Sequence, residues 1–295
     1  MPRACSTGSP SSVVADFLAT MAAGSLRRRE AARAERSMDR LMRLVEDASP
    51  APRLSLAGGF DVIAEIKATS PAEGALADAA DFDHTARASA YAEGGAVAVS
   101  VLTEPDRFSG ALEHLAAAAR VLAGHNVPAM RKDFLVDDYQ VVEARLAGAG
   151  GVLAIVAMLD DAALANLTAR AAELGLFVLV ECFDAEDAAR TSRLVDTAGA
   201  TKLAEAGQLL VGVNTRDLRT LAVDNDRLER LVGHLPRQLP RVAESGLKVP
   251  ADAARAVDMG YDVALIGTAL MRRDDATQAV AEFVEAGRAA AGVDA

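Results

Sequence analysis

Hydrophobic residues recur along this chain in short, nearly continuous runs, each followed by a polar turn and an Ala-rich amphipathic segment. A short apolar run is typical of a strand buried on both faces, and the amphipathic segment is typical of a crossover helix. The runs predict eight strands, at 61–66, 96–101, 127–130, 151–156, 176–180, 209–213, 241–243 and 263–266. Helices are predicted to begin near Phe82, Ser109, Asp138, Asp160, Asp184, Asn225, Pro250 and Asp275. This alternation predicts an α/β fold with a parallel sheet.

Polar side chains follow six of the eight runs, and their position decides how the sheet closes. They are Glu65 with Lys67, Ser100 with Thr103, Arg131 with Lys132, Glu181, Asn214 with Arg216, and Glu244 with Ser245. Periodicity alone also permits a doubly wound open sheet, which would spread these groups along a line. A closed ring gathers the carboxyl ends of all strands around one opening, where barrel enzymes carry their active sites. The sequence therefore favours a (β/α)8 TIM barrel.

The segment before the first strand carries its own helical pattern. Residues 11–48 have partial 3.6-residue periodicity and predict an N-terminal helical extension, while residues 1–10 have the composition of a disordered tail. We expect residues 11–295 to form a single domain. No apolar run approaches the roughly 20 residues of a membrane span, nor is there the apolar core of a signal peptide, so a cytoplasmic protein is expected.

The charge of the chain constrains its partners. The formal net charge is −11, which argues against nucleic acid as a ligand, because phosphate backbones bind to clustered cations. An anionic substrate would need a local positive field, and Lys67, Arg131, Lys132 and Arg216 are the candidates for it. The four histidines have no metal-ligand spacing with each other or with the cysteines, so no metal site is expected. Cys5 lies in the predicted tail and Cys182 in an apolar run, so no disulfide is expected.

Several motifs resemble those of one enzyme family. The segment IAEIKATSPAEG at 63–74 closely resembles the first-strand signature of the indole-3-glycerol phosphate synthases. Further matches follow in order: SVLTEPDRFSG (100–110), PAMRKDFLVDDYQVVEAR (128–145), LVE (179–181), VGVNTRDL (211–218), AESGL (243–247) and LIGTALM (265–271). The resemblance covers roughly residues 11–290. It implies conversion of 1-(2-carboxyphenylamino)-1-deoxyribulose 5-phosphate to indole-3-glycerol phosphate, a cofactor-free carboxy-lyase step of tryptophan biosynthesis.

The resemblance also implies roles for individual residues. Ring closure needs an acid for the developing alkoxide, which an ammonium group can supply, and Lys132 is the candidate. Dehydration needs a second acid and a base, for which Lys67, Glu181 and Glu65 are candidates with their individual roles left open. The substrate-binding candidates are Ser70 and Asn214 for the carboxylate, Arg216, Glu244 and Ser245 for the polar network, and Phe108 and Phe134 for the anthranilate ring, although core packing is the simpler interpretation of both rings.

The substrate phosphate requires an anion site. Barrels commonly build one from the loops after the seventh and eighth strands, where Gly246, Gly267 and Thr268 stand in this chain. Glycine permits close approach of backbone N–H groups, and a threonine adds a hydroxyl donor. Lys67 is a further phosphate-binding candidate. A phosphorylated small molecule is the expected partner, and the chain is expected to be a monomer or a weak homo-oligomer.

The chain departs from the family pattern at four points. Asn214-Thr215-Arg216 replaces a paired Asn, and Gly148-Ala149-Gly150 replaces Gly-Ala-Asp, without removing a proposed acid or base. Ser70-Pro71-Ala72 replaces the usual SPS, and the segment between Glu181 and Asn214 is about a dozen residues longer than expected, with 191–200 predicted as extra helix or loop. The longer segment leaves open a paralogue with the same chemistry in a specialised indole pathway. A non-catalytic phosphate-ligand-binding barrel is a second alternative. Phosphoribosylanthranilate isomerase is a third alternative. That reaction is commonly assigned a Cys base, but Cys182 should point away from Glu181 and the barrel centre.

Overall fold

The computed structural model describes residues 17–70, 73–76, 82–219 and 222–293. Its parallel barrel strands are β1 (Asp61–Ile66), β2 (Ala98–Leu102), β3 (Ala129–Lys132), β4 (Gly151–Ile155), β5 (Phe177–Cys182), β6 (Leu209–Asn214), β7 (Arg241–Glu244) and β8 (Val263–Ile266). Each strand pairs with the next along the chain, and β8 closes the ring on β1 with Asp61 opposite Val263. The predicted (β/α)8 barrel is confirmed, and the open sheet is excluded.

Two helices, α1 (Phe17–Glu35) and α2 (Met38–Glu46), precede the barrel and confirm the N-terminal helical extension. The remaining helices are α3 (His84–Glu93), α4 (Pro105–Phe108), α5 (Leu112–His125), α6 (Asp138–Leu146), α7 (Asp161–Leu174), α8 (Ala185–Val195), α9 (Ala198–Glu205), α10 (Arg227–Val232), α11 (Pro250–Met259), α12 (Thr268–Met271) and α13 (Ala276–Ala290). The eight predicted helix starts lie within three residues of observed ones. The predictions for 1–16, including the disordered tail, fall outside the described residues.

Aspartate side chains set the starts of several barrel helices. Asp137 accepts a hydrogen bond from Tyr139 N, Asp160 from Ala163 N, and Asp184 from Asp187 N. The first N–H groups of a helix have no partner within the helix, and a carboxylate there also interacts favourably with the helix dipole. These local caps explain why the predicted helix starts were accurate.

The barrel strands are buried on both faces, in two separate apolar layers. Side chains such as Ile63, Met130 and Leu179 fill the barrel interior. Their neighbours in the strands, such as Val62 and Val180, pack outward against the helices. Strand alternation therefore decides which polar residues near the strand ends face the centre and which face the helices.

Several strands extend beyond the predicted ends. The strands β3, β5, β6 and β7 continue through Lys132, Cys182, Asn214 and Glu244, whereas the predictions stop at the last apolar residue before them. Backbone pairing does not require an apolar side chain, so strands continue until the inward-facing polar residues at the mouth of the barrel. The segment 191–200, predicted as extra helix or loop, is mostly helical: α8 ends at Val195, and α9 begins at Ala198. No helix in the described ranges is long and apolar enough to span a membrane.

Candidate active site

The carboxyl ends of the strands bring six polar side chains together at one opening. The last inward-facing residues of β1, β3, β5, β6 and β7 are Glu65, Lys132, Glu181, Asn214 and Glu244, and Lys67 follows β1. We call these six residues the mouth cluster. Lys132 and Glu181 contact each other, Asn214 donates a hydrogen bond to Glu181, and Glu65 and Glu244 interact electrostatically with Lys132. Lys67 is connected to the cluster through its ion pair with Glu65. All four residues predicted to carry acid–base chemistry are among them.

Lys132 and Glu181 form the central ion pair. The Nζ of Lys132 lies 3.4 Å from Oε2 of Glu181, whose side chain is fully buried. Burial alone lowers the pKa of Lys132, but the carboxylates of Glu181 and Glu65 outweigh it, and the pKa is raised above its usual range. Lys132 is therefore an ammonium at neutral pH and can donate a proton.

Lys67 pairs with Glu65 on the opposite side of the cluster. Their Nζ and Oε1 atoms are 3.2 Å apart, and both side chains are largely shielded from solvent. Gly267 follows β8 beside this pair, and a Cβ there would lie 2.5 Å from Oε1 of Glu65. Glycine at this position allows the backbone to approach the carboxylate, so the predicted phosphate-binding turn lies directly against the Lys67–Glu65 pair.

Asn214 has a fixed orientation between β6 and Glu181. Its Nδ2 donates to Oε2 of Glu181 at 3.1 Å, and its Oδ1 accepts from the backbone N–H of Arg216 at 2.9 Å. Arg227 donates to the backbone carbonyl of Asn214 at 3.0 Å from the helix side. The Asn214 amide therefore holds the Glu181 carboxylate. Its contact with a substrate carboxylate stays a prediction.

Glu244 is the one carboxyl of the cluster with no cation beside it among the described side chains. Its side chain is buried, and neither of its oxygens receives a hydrogen bond from a described residue. Burial and the adjacent Glu181 carboxylate raise the pKa of Glu244 well above its usual range. Glu244 is therefore the carboxyl of the cluster whose ionised form is the most strongly disfavoured by its surroundings.

Aromatic rings border the cluster on the β2–β3 side. Phe134 is buried, and its ring centroid is 6.1 Å from that of Phe108 in α4 and 6.2 Å from that of Phe17 in α1. The structure thus brings the two predicted rings together and adds a third. The sequence predicts Phe17 only as part of the helical segment 11–48, since no pattern indicates that α1 packs against the loops after β2 and β3.

A second group of charges holds α1 against the loops after β2 and β3. Arg28 of α1 donates to Oδ1 of Asp133 at 2.9 Å and lies 3.5 Å from Glu104. Glu104 in turn caps α4, which carries Phe108, by accepting from the backbone N–H groups of Asp106, Arg107 and Phe108. These contacts fix the aromatic residues relative to Lys132, and none of them was predicted.

The prediction that Arg131 contributes to the local positive field is wrong. Arg131 points outward, where it donates to the carbonyl of Gln140 at 2.9 Å and pairs with Asp133 and Glu143 at 3.1 and 3.4 Å. Adjacent strand residues face opposite sides, so Arg131 cannot share the opening with Lys132. Its charge is neutralised by the two carboxylates.

The predicted phosphate site lies at the ends of β7 and β8. Ser245 and Gly246 both adopt left-handed backbone conformations, with φ of 65° and 80°. Thr268 begins α12, but its hydroxyl donates to Oε1 of Glu73 at 2.9 Å, and Arg272 pairs with the same carboxylate at 3.1 Å. Glu73 was not among the predicted site residues. Its carboxylate accepts the hydrogen bond of the Thr268 hydroxyl, which was expected to donate to the phosphate.

The remaining predicted residues are less constrained. Arg216 is half-buried, and its side chain forms no ion pair or hydrogen bond with a described residue, so it is free to meet an anion. The side chain of Ser70 lies outside the described part of the chain. Cys182 faces the helices, as predicted, with its Sγ 3.3 Å from Oγ1 of Thr191. It does not supply a base at the opening.

Comparison with known proteins places this site in a family. The family model for indole-3-glycerol phosphate synthase matches residues 24–283. An indole-3-glycerol phosphate synthase of Mycobacterium leprae is 43% identical over 244 residues, which cover 81% of this chain and 84% of that protein. The corresponding enzyme of a Nocardioides species is 46% identical over 224 residues, covering 76% and 80%.

A solved structure supports the fold independently. The 3-hexulose-6-phosphate synthase of Salmonella typhimurium matches with a TM-score of 0.57 and 16% identity over 77% of this chain and 98% of that protein. At this identity the likeness concerns the barrel alone. The family match spans the barrel and most of α1, including every described residue of the mouth cluster, and the chain belongs to the indole-3-glycerol phosphate synthase family.

Proposed function

We propose that this chain is a carboxy-lyase that converts 1-(2-carboxyphenylamino)-1-deoxyribulose 5-phosphate to indole-3-glycerol phosphate in tryptophan biosynthesis. The observation that carries the proposal is the pair of lysine–carboxylate contacts, Lys132 with Glu181 and Lys67 with Glu65, inside one opening. Ring closure and dehydration each require an acid, and each lysine is an acid with a carboxylate beside it. The family membership supplies the substrate and the reaction.

Lys132 acts in ring closure. Attack of the aromatic ring on the ketone places negative charge on the carbonyl oxygen, and the Lys132 ammonium donates the proton that this oxygen requires. The raised pKa of Lys132 keeps it protonated at neutral pH. Loss of carbon dioxide then restores the ring electrons without needing a cofactor as an electron sink.

Lys67 acts in dehydration as the second acid, protonating the departing hydroxyl. The base that removes the ring proton is Glu181 or Glu65, each within 3.4 Å of a lysine. Because the two pairs lie in one cluster, each group influences the proton affinity of the others, and the pH dependence belongs to the cluster as a whole.

The substrate is held at three points around these acids. Phe108 and Phe134 contact the anthranilate ring, and Ser70 with Asn214 and Arg216 receives its carboxylate. The phosphate binds to the backbone of Gly246 and Gly267, to Thr268 and to Lys67, displacing Glu73 from the Thr268 hydroxyl. Glu244 and Ser245 complete the polar network on the β7 side.

The localisation, oligomeric state and partners of the protein are part of the same proposal. A reaction of amino-acid biosynthesis on a soluble phosphorylated intermediate places the protein in the cytoplasm, acting alone or as a weak homo-oligomer and without nucleic acid. The net charge of −11 agrees with a protein that binds its anionic substrate only at a local cationic site.

Turnover of the purified protein tests the proposal. Incubation with the carboxyphenylamino substrate should produce indole absorbance and fluorescence, and Lys132→Ala should lower kcat by about 10²-fold or more because it removes the ring-closure acid. Lys202→Ala is a matched control, since Lys202 is an exposed lysine of α9 remote from the opening. A folded protein that binds the substrate with no turnover would identify a non-catalytic barrel instead.

A further inference from the structure

The charges in the mouth cluster do not balance if every carboxyl is ionised. Lys67 lies 3.2 Å from Glu65, and Lys132 lies 3.4 Å from Glu181. Each lysine thus has its own carboxylate, and Glu244 is left as an additional carboxyl that is 1% exposed. An ionised group buried without a partner is strongly unfavourable, and such groups take up a proton instead.

The backbone register brings Glu244 toward Glu181. Glu181 lies opposite Gly212 in the β5–β6 pairing, and Glu244 lies opposite Asn214 in the β6–β7 pairing. The Glu244 side chain extends over Gly212, where an added Cβ would overlap its Oε1 and lie 3.0 Å from its Cδ. The absence of a side chain at Gly212 therefore opens the space through which the two carboxyl groups meet.

Three buried carboxyl oxygens of Glu181 and Glu244 lack a hydrogen-bond donor among the described residues. Oε2 of Glu181 contacts both Lys132 and Asn214, whereas Oε1 is buried and receives no donor from the described part of the chain. Both oxygens of Glu244 are in the same situation. Buried carboxyl oxygens without donors are rare in folded proteins, and one proton shared by the two groups would give Oε1 of Glu181 a donor and one oxygen of Glu244 a partner.

We propose that Glu244 is a neutral carboxylic acid that donates a hydrogen bond to Oε1 of Glu181, and that it serves the reaction as a positioning residue acting through Glu181. Glu181 is then fixed by three donors, Lys132 and Asn214 on one oxygen and Glu244 on the other. The inference rests on the proposed acid–base role of the Lys132–Glu181 pair. It adds a defined protonation state and a direct partner to the general binding role that the sequence suggested for Glu244.

This hydrogen bond controls the orientation of Glu181. A carboxylate held on both oxygens cannot rotate, so the oxygen beside Lys132 keeps its place while substrate binds and leaves. The neutral state of Glu244 also preserves the cationic character of the opening, which must accept a substrate with a phosphate and a carboxylate. An ionised Glu244 would repel both.

A comparison of three variants tests the proposal. Glu244→Gln supplies a neutral N–H donor of similar length, whereas Glu244→Leu supplies none, so kcat should fall several-fold in Glu244→Gln and roughly a further tenfold or more in Glu244→Leu. Glu205→Gln, an exposed glutamate of α9, is the matched control and should leave kcat unchanged. Loss of activity in Glu244→Gln equal to that in Glu244→Leu would overturn the proposal.

A spectroscopic readout separates this proposal from the assignment of the reaction. At neutral pH the infrared spectrum of the protein should contain the C=O stretch of one protonated, buried carboxylic acid, which Glu244→Gln removes and Glu205→Gln retains. A spectrum with no such band in the parent protein would contradict the neutral Glu244 whatever the activity. A band without any turnover would support the neutral acid while rejecting the proposed function.

The pH profile gives a third readout. The titratable groups that face or influence Glu244 are Glu181 and Cys182 on β5, Lys132 on β3 and Glu65 on β1. As the pH rises through the raised pKa of Glu244, its proton is lost and the hydrogen bond to Glu181 with it. The parent protein should therefore lose kcat with rising pH before Lys132 titrates, and Glu244→Gln should lack that early loss.

Discussion

At the scale of single residues, Gly212 is the position where the smallest change should have the largest effect on the site. A methyl group there would overlap Oε1 of Glu244, whose neighbours in the buried cluster leave it little room to move. Gly212→Ala should displace Glu244 and thereby Glu181, lowering kcat by about tenfold or more, since both residues lie at the catalytic pair. The measurement is steady-state turnover together with the circular dichroism spectrum, which should remain that of the folded barrel.

Gly124→Ala provides the control for this substitution. Gly124 lies in α5 with ordinary φ, and an added Cβ would meet no atom within 4 Å. Alanine there should leave kcat unchanged and raise the free energy of unfolding slightly, by up to about 1 kcal/mol, since glycine is a poor helix former. If both variants kept full activity, Gly212 would not be needed for the placement of Glu244.

The residues of the mouth cluster could be predicted because two independent rules agree on them. Motif resemblance names Lys132 and Glu181, and the position of polar residues at strand ends places them on one face of the barrel. The same rules failed for Arg131, because membership of the motif says nothing about which side of the strand a residue faces. Phe17 and Glu73 escaped prediction because their roles depend on contacts between segments far apart in the chain.

At the scale of elements, α1 acts as part of the active site although it lies outside the barrel. Arg28 connects it to Asp133, directly after Lys132, and to Glu104, which caps the short helix carrying Phe108. Asp133 and Glu104 are each 1% exposed in their side chains, so the guanidinium is a partner to two buried carboxylates. The position of α1 therefore determines where the aromatic rings stand.

Arg28→Ala should lower both stability and substrate affinity. The loss of hydrogen bonds to charged groups should reduce the free energy of unfolding by about 1–3 kcal/mol, and KM should rise more than kcat falls because Phe108 and Phe134 bind the ring rather than transfer protons. Chemical denaturation and steady-state kinetics measure the two effects. Arg27→Ala, an exposed neighbour in the same helix, should change neither. An unchanged KM in Arg28→Ala would show that α1 does not position the ring pocket.

The elements themselves were predicted better than their ends. Alternation of apolar runs with amphipathic segments is a property of the whole chain, and it gave the eight strands correctly. The ends were displaced because a strand continues through inward-facing Lys132, Asn214 and Glu244, which a hydrophobicity criterion treats as the start of a loop. The segment 191–200, predicted as extra helix or loop, covers the end of α8 and the start of α9. Gly199 of α9 packs so closely on α7 that an added Cβ would lie 2.5 Å from the Cα of Ala169.

At the scale of the whole molecule, the net charge of the chain differs from the local charge at the opening, and the sign of that local charge depends on Glu244. The chain carries −11, yet the opening of the barrel gathers Lys67, Lys132 and Arg216. A neutral Glu244 makes this contrast larger than a count of ionisable groups suggests. Protonation states could not be predicted from the sequence, since they depend on how closely carboxyl groups approach one another in the folded barrel.

The protonation of Glu244 should be visible in the stability of the entire protein. Glu244 holds a proton in the folded state at neutral pH but releases it on unfolding, where its carboxyl has an ordinary pKa near 4.3. The unfolded state then binds fewer protons, so this residue lowers the free energy of unfolding by about 1.4 kcal/mol per pH unit as the pH rises from the unfolded pKa to the raised folded pKa. The contribution of Glu244 to stability is fully present only below about pH 4.

Glu244→Gln removes this titration and leaves every other group in place. The stability of the variant relative to the parent should increase as the pH rises from about 4.3, and the difference should become independent of pH in more acidic solution. Denaturant unfolding of both proteins over this pH range measures it, with Glu205→Gln as the control that follows the parent. A difference that does not change with pH would mean that Glu244 titrates normally in the folded barrel. A variant that is more stable yet less active would show that the parent accepts a cost in stability to keep Glu181 correctly placed for catalysis.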